Sequence, residues 1–351
     1  MIKTPLMRGF FYVKFIKIFI NILFITIELI ECQKGNSLMI SKSRKQTASD
    51  ILMIRPCRFF SNPETAKSNK FQGKSSIDGD ELQRAALDEF DQLVEKLRQA
   101  DLNIMQFDDT PEPPTPDSVF PNNWISMHTD GTVVLYPMEA INRRTERRSD
   151  IIKSLIEEYG FSVNKTIDLT HHESEGRYLE GTGSMVLDHI NRIAYACISS
   201  RTDERVLSDF SKQMNYTVVS FAASDSSGSS IYHTNVIMSL GENIAVLCED
   251  TIKDNSEREN VLSSLESSNH EIVRITLEQM HSFSGNVLEV ISNRGEKLML
   301  MSSSAERALT DSQYKTISKY CRIVSSPIDN IEASAGGSVR CMMAEIFLPK
   351  N

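Results

Sequence analysis

The chain has 351 residues, a formal net charge of −9, 40% hydrophobic and 24% charged residues. This is the make-up of a folded chain long enough for one large domain or two ordinary ones, and it excludes a disordered polymer. The acidic balance lacks the basic surplus of a nucleic-acid binder, so no nucleic-acid partner is expected.

In chain order, residues 10–32 form an apolar run broken by Lys14, Lys17, Asn21, Glu28 and Glu31. The run is too short and too punctuated for a membrane span. A basic start ahead of an apolar stretch is also the pattern of a signal peptide, and Met39 offers a second start. The expected organisation is a leader at 1–38, either a non-native start or a signal, followed by a single domain at 39–351. A cytoplasmic protein with no stable membrane partner is expected, or a secreted or membrane-associated one if residues 1–32 act as a leader. The six cysteines, Cys32, Cys57, Cys197, Cys248, Cys321 and Cys341, contain no CxxC pair. They indicate neither a zinc site nor a thioredoxin motif and fit a reducing compartment.

Ile51 to Pro56 reads as a strand stopped by proline. Leu82 to Leu102 carries Leu87, Phe90, Leu93, Val94 and Leu97 at helical spacing. Pro111 to Pro116 is a loop. Helices follow at Arg147–Gly160, Glu204–Met214, Glu257–Ser268 and Ser312–Tyr320. Between them short apolar strands recur: Val133–Tyr136, Ile193–Cys197, Ile244–Leu247, Leu298–Met301 and Glu345–Leu348. Their starts lie about 50 to 60 residues apart, a repeat period. Each is preceded by a polar turn: Asn122-Asn123-Trp124, Gly181-Thr182-Gly183, His233-Thr234-Asn235, Ser284-Gly285-Asn286 and Gly336-Gly337-Ser338. Five units of helix and strand predict a closed α/β ring with pseudo-fivefold symmetry, whose turns converge on one axis. Such convergence gathers Asn123, Glu180, His233 and Cys341 from distant parts of the chain.

A thiol, an imidazole and a carboxylate in turn-like settings are the parts of a cysteine-nucleophile enzyme. Cys341 lies in a Gly-Gly-Ser-Val-Arg-Cys loop, where backbone can approach a ligand closely. Cys197 and Cys248 lie in apolar strands and read as buried structural residues. His171-His172-Glu173 has no HExxH spacing and reads as a surface loop; no metal and no cofactor are expected.

The motifs Phe120-Pro121-Asn122-Asn123-Trp124, Leu179-Glu180-Gly181-Thr182-Gly183-Ser184, Ser200-Arg201-Thr202, Tyr232-His233-Thr234-Asn235 and Gly336 to Cys341 occur jointly and in this order. Over roughly residues 47–350 the chain resembles the arginine-deiminase-related proteins of the guanidino-group-modifying (amidinotransferase-like) superfamily, of the citrulline-utilisation hydrolase type. The resemblance implies a five-bladed α/β propeller, the pentein fold. It implies Cys341 as nucleophile, His233 as general acid/base and Glu180 as a substrate-binding carboxylate. Arg201 matches an arginine that faces the amino-acid carboxylate in relatives.

Two positions depart from the arginine-processing pattern. Arginine deiminases carry Arg-Asp where this chain has Asn122-Asn123, and His-x-Asp where it has His233-Thr234-Asn235. A guanidinium is a planar cation with donors only and is best held by carboxylates. A ureido group is neutral, with a carbonyl acceptor and N–H donors, and asparagine matches it. The expected reaction is therefore hydrolysis of citrulline to ornithine, ammonia and carbon dioxide through an S-carbamoyl enzyme. Asn122, Asn123, Asn235, Arg201 and Arg340 are the candidate binding residues. Arg340 or an imidazolium nearby is expected to favour the Cys341 thiolate. Arginine deimination, dimethylarginine hydrolysis and a non-catalytic binding propeller are the alternatives. The expected partner is a small amino acid; the sequence sets no oligomeric state.

Overall fold

The computed structural model describes residues 44–73 and 75–350. The leader at 1–38 and the start at Met39 lie outside the described residues. Among the described residues no helix is long and apolar enough to cross a membrane.

Four of the expected strands are the central members of three-stranded sheets. β4 (Thr132–Leu135) lies between β3 (Ile125–Met127) and β5 (Lys165–Asp168), and β7 (Ile193–Cys197) between β6 (Met185–Asp188) and β8 (Thr217–Phe221). β10 (Ile244–Leu247) lies between β9 (Met238–Leu240) and β11 (Glu271–Arg274), and β13 (Lys297–Ser302) between β12 (Leu288–Ile291) and β14 (Arg322–Ser326). In every case the central strand pairs antiparallel with the strand before it and parallel with the strand after it. The parallel step needs a crossover, and helices supply it: α2 (Ser149–Glu157), α3 (Glu204–Met214), α4 (Asn255–Ser267) and α5 (Asp311–Ser318). Central strands buried on both faces explain the uninterrupted Ile-Ala-Val-Leu run at 244–247.

The fifth sheet corrects the expected pattern. Glu345–Leu348 is not its centre. The ladder there is only β15 (Ala344–Glu345), with Ile346 bridging to Met127. The central strand is β1 (Asp50–Arg55), which pairs antiparallel with β15 and parallel with β2 (Asn103–Asp108). A short apolar run has the same appearance at a sheet centre and at an edge.

Helix ends follow local chemistry. α1 (Gly79–Gln99) stops short of the expected Leu102 because Asp101 turns left-handed (φ 65). α2 ends before Gly160 (φ 72), and α3 starts on Asp203, whose carboxylate accepts from the Arg205 and Val206 amides. α6 (Asp329–Ala335) was not foreseen; seven residues carry too little periodicity.

The polar turns precede the edge strands rather than the central ones: Pro121–Asn123 leads into β3, Gly181–Ser184 into β6 and Thr234–Val236 into β9. The edge strands touch in pairs, β15 with β3, β6 with β9 and β9 with β12, and the Gly181–Ser184 turn packs on both other turns. That packing sets the stage for the site.

Candidate active site

Glu180 stands at the start of the Gly181–Ser184 turn and is fully buried (0% exposed). One of its oxygens, Oε2, receives His233 Nε2 at 2.9 Å and Arg201 Nη1 at 3.3 Å, with Arg143 Nη1 at 3.7 Å. The other, Oε1, accepts the Glu139 amide at 3.0 Å. Burial alone would raise its pKa, but Arg201, His233 and Arg143 hold the carboxyl well below the usual range. His233 is lowered as well, but by burial rather than by its partners. Burial lowers it to about 4, against the pull of Glu180. Its ring packs on Gly183, where an added Cβ would lie 2.8 Å from His233 Cε1 and 2.5 Å from Asn123 Nδ2. Only glycine lets the histidine and the asparagine approach the same backbone.

Cys341 is 3% exposed. Its Sγ receives two amide N–H₂ groups, Asn235 Nδ2 at 3.3 Å and Asn286 Nδ2 at 3.2 Å. The other buried cysteines, Cys197, Cys248 and Cys321, are pushed up to about 12 by burial and are structural. No cysteine pair among the described residues is bonded.

Asn123, Arg143, Arg201, His233 and Cys341 face one narrow cavity of about 10 Å³, room for about one water, together with Asp117. Arg143 is held bidentate by Glu146 (Nε to Oε1 and Nη2 to Oε2, both 2.9 Å) and donates from Nη1 to Asn123 Oδ1 at 2.9 Å. Burial would lower its pKa, but the surrounding carboxylates raise it, so it stays charged. Asp117 Oδ2 takes Asn62 Nδ2 at 2.8 Å, while its Oδ1 is buried without a partner. The buried cluster holds three carboxylates (Asp117, Glu146, Glu180) against two guanidinium groups (Arg143, Arg201). A segment near residues 62–72 covers the cavity. Ser68 Oγ accepts from Arg201 Nε at 3.1 Å and Nη2 at 2.8 Å, and Asn69 Nδ2 reaches Ala335 O at 2.9 Å. Gly336 (φ 63) sits under this cover, where a Cβ would lie 2.6 Å from the Phe71 carbonyl carbon.

Of the residues expected from the sequence, Cys341, His233, Asn123 and Arg201 line the cavity, and Glu180 lies directly behind His233. Three expected binding residues do not line it. Asn122 is buried beside Asn123 and accepts its amide at 3.1 Å. Asn235 turns to the sulfur. Arg340 points away: its guanidinium binds Met343 O at 3.0 Å and Glu345 Oε2 at 3.1 Å, in a separate cavity, because the chain turns at 339–342 and aims the neighbouring side chains apart. Arg143, Asp117 and Asn286 were missed. Arg143 and Asp117 lie in loops without a distinguishing pattern, whereas Asn286 was visible as the last residue of the fourth polar turn.

Away from this site, His171, His172 and Asp209 bring ligand-type atoms within 4.8 Å of one another. Glu173 is not part of that group; it pairs with Arg147 at 2.6 Å.

Residues 55–348 match the family described as N,N dimethylarginine dimethylhydrolase, eukaryotic. The chain belongs to that family. The family is one of hydrolases acting on non-peptide C–N bonds of guanidino amino acids, within the guanidino-group-modifying superfamily. No curated protein sequence matches the chain. Among solved structures it is similar to apo ArgZ, an arginine dihydrolase of the ornithine–ammonia cycle in cyanobacteria, with TM-score 0.66 and 17% identity. That match covers 86% of this chain and 41% of ArgZ, so the family member spans about two fifths of the full-length ArgZ chain. The N-terminal domain of ArgZ bound to product is matched over 86% of this chain and 99% of that chain, with TM-score 0.65 and 18% identity. A dimethylarginine dimethylaminohydrolase carrying an S-methyl-thiocitrulline adduct is matched at TM-score 0.58 and 15% identity, over 85% of this chain and all of that one. At these identities the likeness establishes the α/β fold.

Proposed function

We propose that this chain is a cysteine hydrolase of a ureido or guanidino amino acid, with citrulline, cut to ornithine, ammonia and carbon dioxide, as the preferred substrate. The observation that carries the ureido reading is the orientation of Asn123. Its Oδ1 already accepts from Arg143 and one Nδ2 hydrogen goes to Asn122, which leaves one N–H donor beside one remaining carbonyl lone pair. A ureido carbonyl accepts that hydrogen bond; a guanidinium, which only donates, does not.

In the proposed reaction the Cys341 thiolate attacks the ureido carbon and forms an S–C bond. Asn123 Nδ2 steadies the oxyanion. His233, neutral at rest, takes up on Nδ1 the proton that leaves Cys341 and gives it to the departing side-chain nitrogen as the C–N bond breaks, releasing ornithine. His233 then takes a proton from water, whose oxygen displaces the sulfur. The carbamate so released breaks down to ammonia and carbon dioxide. Glu180 holds the imidazole through Nε2, leaving Nδ1 for proton exchange. Asp117 Oδ1 is the partner for the substrate α-ammonium, and Arg201 or Arg143 for its carboxylate.

The second reading is arginine or dimethylarginine hydrolysis, with citrulline as product. It is favoured by the loss of Asn122 and Asn235 from the cavity wall, which removes two of the amides that match a ureido group. The same proposal extends to a single catalytic domain at 39–351, five blades built from the five like-ordered sheets, a small amino-acid partner and a cytoplasmic location.

The test is to incubate the purified protein separately with citrulline, arginine and dimethylarginine and follow ornithine, citrulline and ammonia by mass. Ornithine from citrulline, lost in Cys341→Ala, supports the first reading. Citrulline formed from either arginine supports the second. A folded protein that turns over none of the three overturns both.

A further inference from the structure

We propose that Asn286 is a further catalytic residue, which with Asn235 forms an amide cradle that holds Cys341 as the thiolate. The inference rests on Cys341 being the nucleophile of the proposed reaction.

The orientation of Asn286 is dictated by its surroundings. Its Oδ1 faces the Cys341 amide at 3.4 Å, and its Nδ2 spends one hydrogen on the Asn235 carbonyl at 2.8 Å. The second Nδ2 hydrogen therefore points at Sγ, 3.2 Å away. Rotating the amide by half a turn would set two oxygens together at Asn235 and two N–H groups together at Cys341, so the assignment is fixed by the network. Asn235 adds its own Nδ2 at 3.3 Å, and its Oδ1 is left buried without a partner. An unsatisfied buried acceptor is tolerated where a functional arrangement demands it.

Two N–H donors aimed at one buried sulfur do little for a neutral thiol, which is a weak acceptor. They do much for an anion, since hydrogen bonds to charged groups are about twice as strong. The positive charge expected from Arg340 is absent, because that side chain is tied to Glu345. The other titratable or charged groups at the cavity are Asp117, Arg143, Arg201, Tyr232 and His233. Arg143 and Arg201 are already engaged by Glu146 and Glu180. The amide pair takes the place of a cation, which suits a neutral ureido substrate that brings no charge of its own.

The test reads the sulfur and needs no turnover. Iodoacetamide alkylation of Cys341 is followed by peptide mass spectrometry from pH 6 to 9.5, with the half-buried Cys57 as internal reference. In Asn286→Leu and Asn286→Asp, alkylation of Cys341 relative to Cys57 is expected to fall about tenfold at neutral pH and to recover at the alkaline end, the size of one hydrogen bond to a charged group. The same rate profile in both variants and the unmutated protein overturns the proposal. Should the variants not fold, the unmutated protein decides by its ultraviolet thiolate absorbance against Cys341→Ser. Absorbance present at neutral pH supports the cradle; absorbance appearing only above the ordinary thiol range, about pH 8.5, overturns it. A thiolate in a protein inert to all three amino acids would sink the proposed substrates and leave the cradle standing.

Discussion

Arg340 and Cys341 are neighbours in the chain and look into two different cavities, and the two cavities are built on opposite principles. The one lined by Arg340, about 20 Å³, has its polar groups paired. Arg340 meets Glu345, His189 Nδ1 meets the Tyr216 hydroxyl at 3.0 Å, and Gln46 bridges the His189 amide and Leu187 O at 2.9 Å each. Around the one lined by Cys341, Asp117 Oδ1, Asn122 Nδ2 and Asn235 Oδ1 are buried without partners. Burying a polar atom unpaired costs about 1–3 kcal/mol. Of the residues lining the two cavities only Asp117 carries such an atom, and Asn122 and Asn235 add two more on the direct partners of Asn123 and Cys341, so unpaired polar atoms gather at the Cys341 cavity and not at the Arg340 one.

Mutations break this comparison in graded ways. Cys341→Ala is expected to remove turnover, at least about a thousandfold in kcat, with Tm little changed; a melting curve beside an ornithine assay checks it. His233→Ala and Glu180→Gln should each lower kcat by about 10²–10⁴, the span of a general acid/base and its orienting partner. Gly183→Ala drives a methyl between Asn123 and His233. We expect a stability loss of about 1–3 kcal/mol together with a fall in kcat, measured by denaturant unfolding and steady-state kinetics. On the other side, Arg340→Met strands the Glu345 carboxylate and should cost on the order of 3 kcal/mol while leaving kcat of the folded protein intact. A large kcat loss there would mean that the two cavities communicate.

A further effect is in pH. Burial lowers His128 and His233 to about 4, and takes His189 well below its ordinary value. Below the unfolded value of about 6.5 the unfolded chain binds protons that the folded chain refuses, so stability is full above that pH and is lost as pH falls toward 4. Unfolding free energy should drop between pH 6.5 and 5 by about 1 kcal/mol per pH unit for each such histidine. A flat profile would contradict the buried, neutral state of these rings.

What was legible in the sequence follows from what is local. The strand runs at 193–197 and 244–247 and the helix at 204–214 stand as read, because apolar continuity, periodicity and caps are local signals. The polar turns before edge strands exposed Asn123, Glu180, His233 and Cys341, since chemistry-bearing residues in a turn stand out from their apolar flanks. Arg143 and Asp117 had no such frame; only tertiary packing turns them toward the cavity. Arg340 was misjudged for the reverse reason, as adjacency in sequence was taken for adjacency in space. The role of Asn235 changed because a sequence records which amide is present and not which atom it faces. The part played by β1 was hidden because its partner β15 lies almost three hundred residues away.

That last pairing has a consequence for biosynthesis. β1 is made early and is flanked by β2 soon after, but its other edge waits for β15, which follows the nucleophile by only a few residues. Until β15 is made the nascent chain carries one unpaired strand edge on β1. Catalytic competence thus waits for one pairing event, and a chain cut short before Cys341 and β15 is silent by construction.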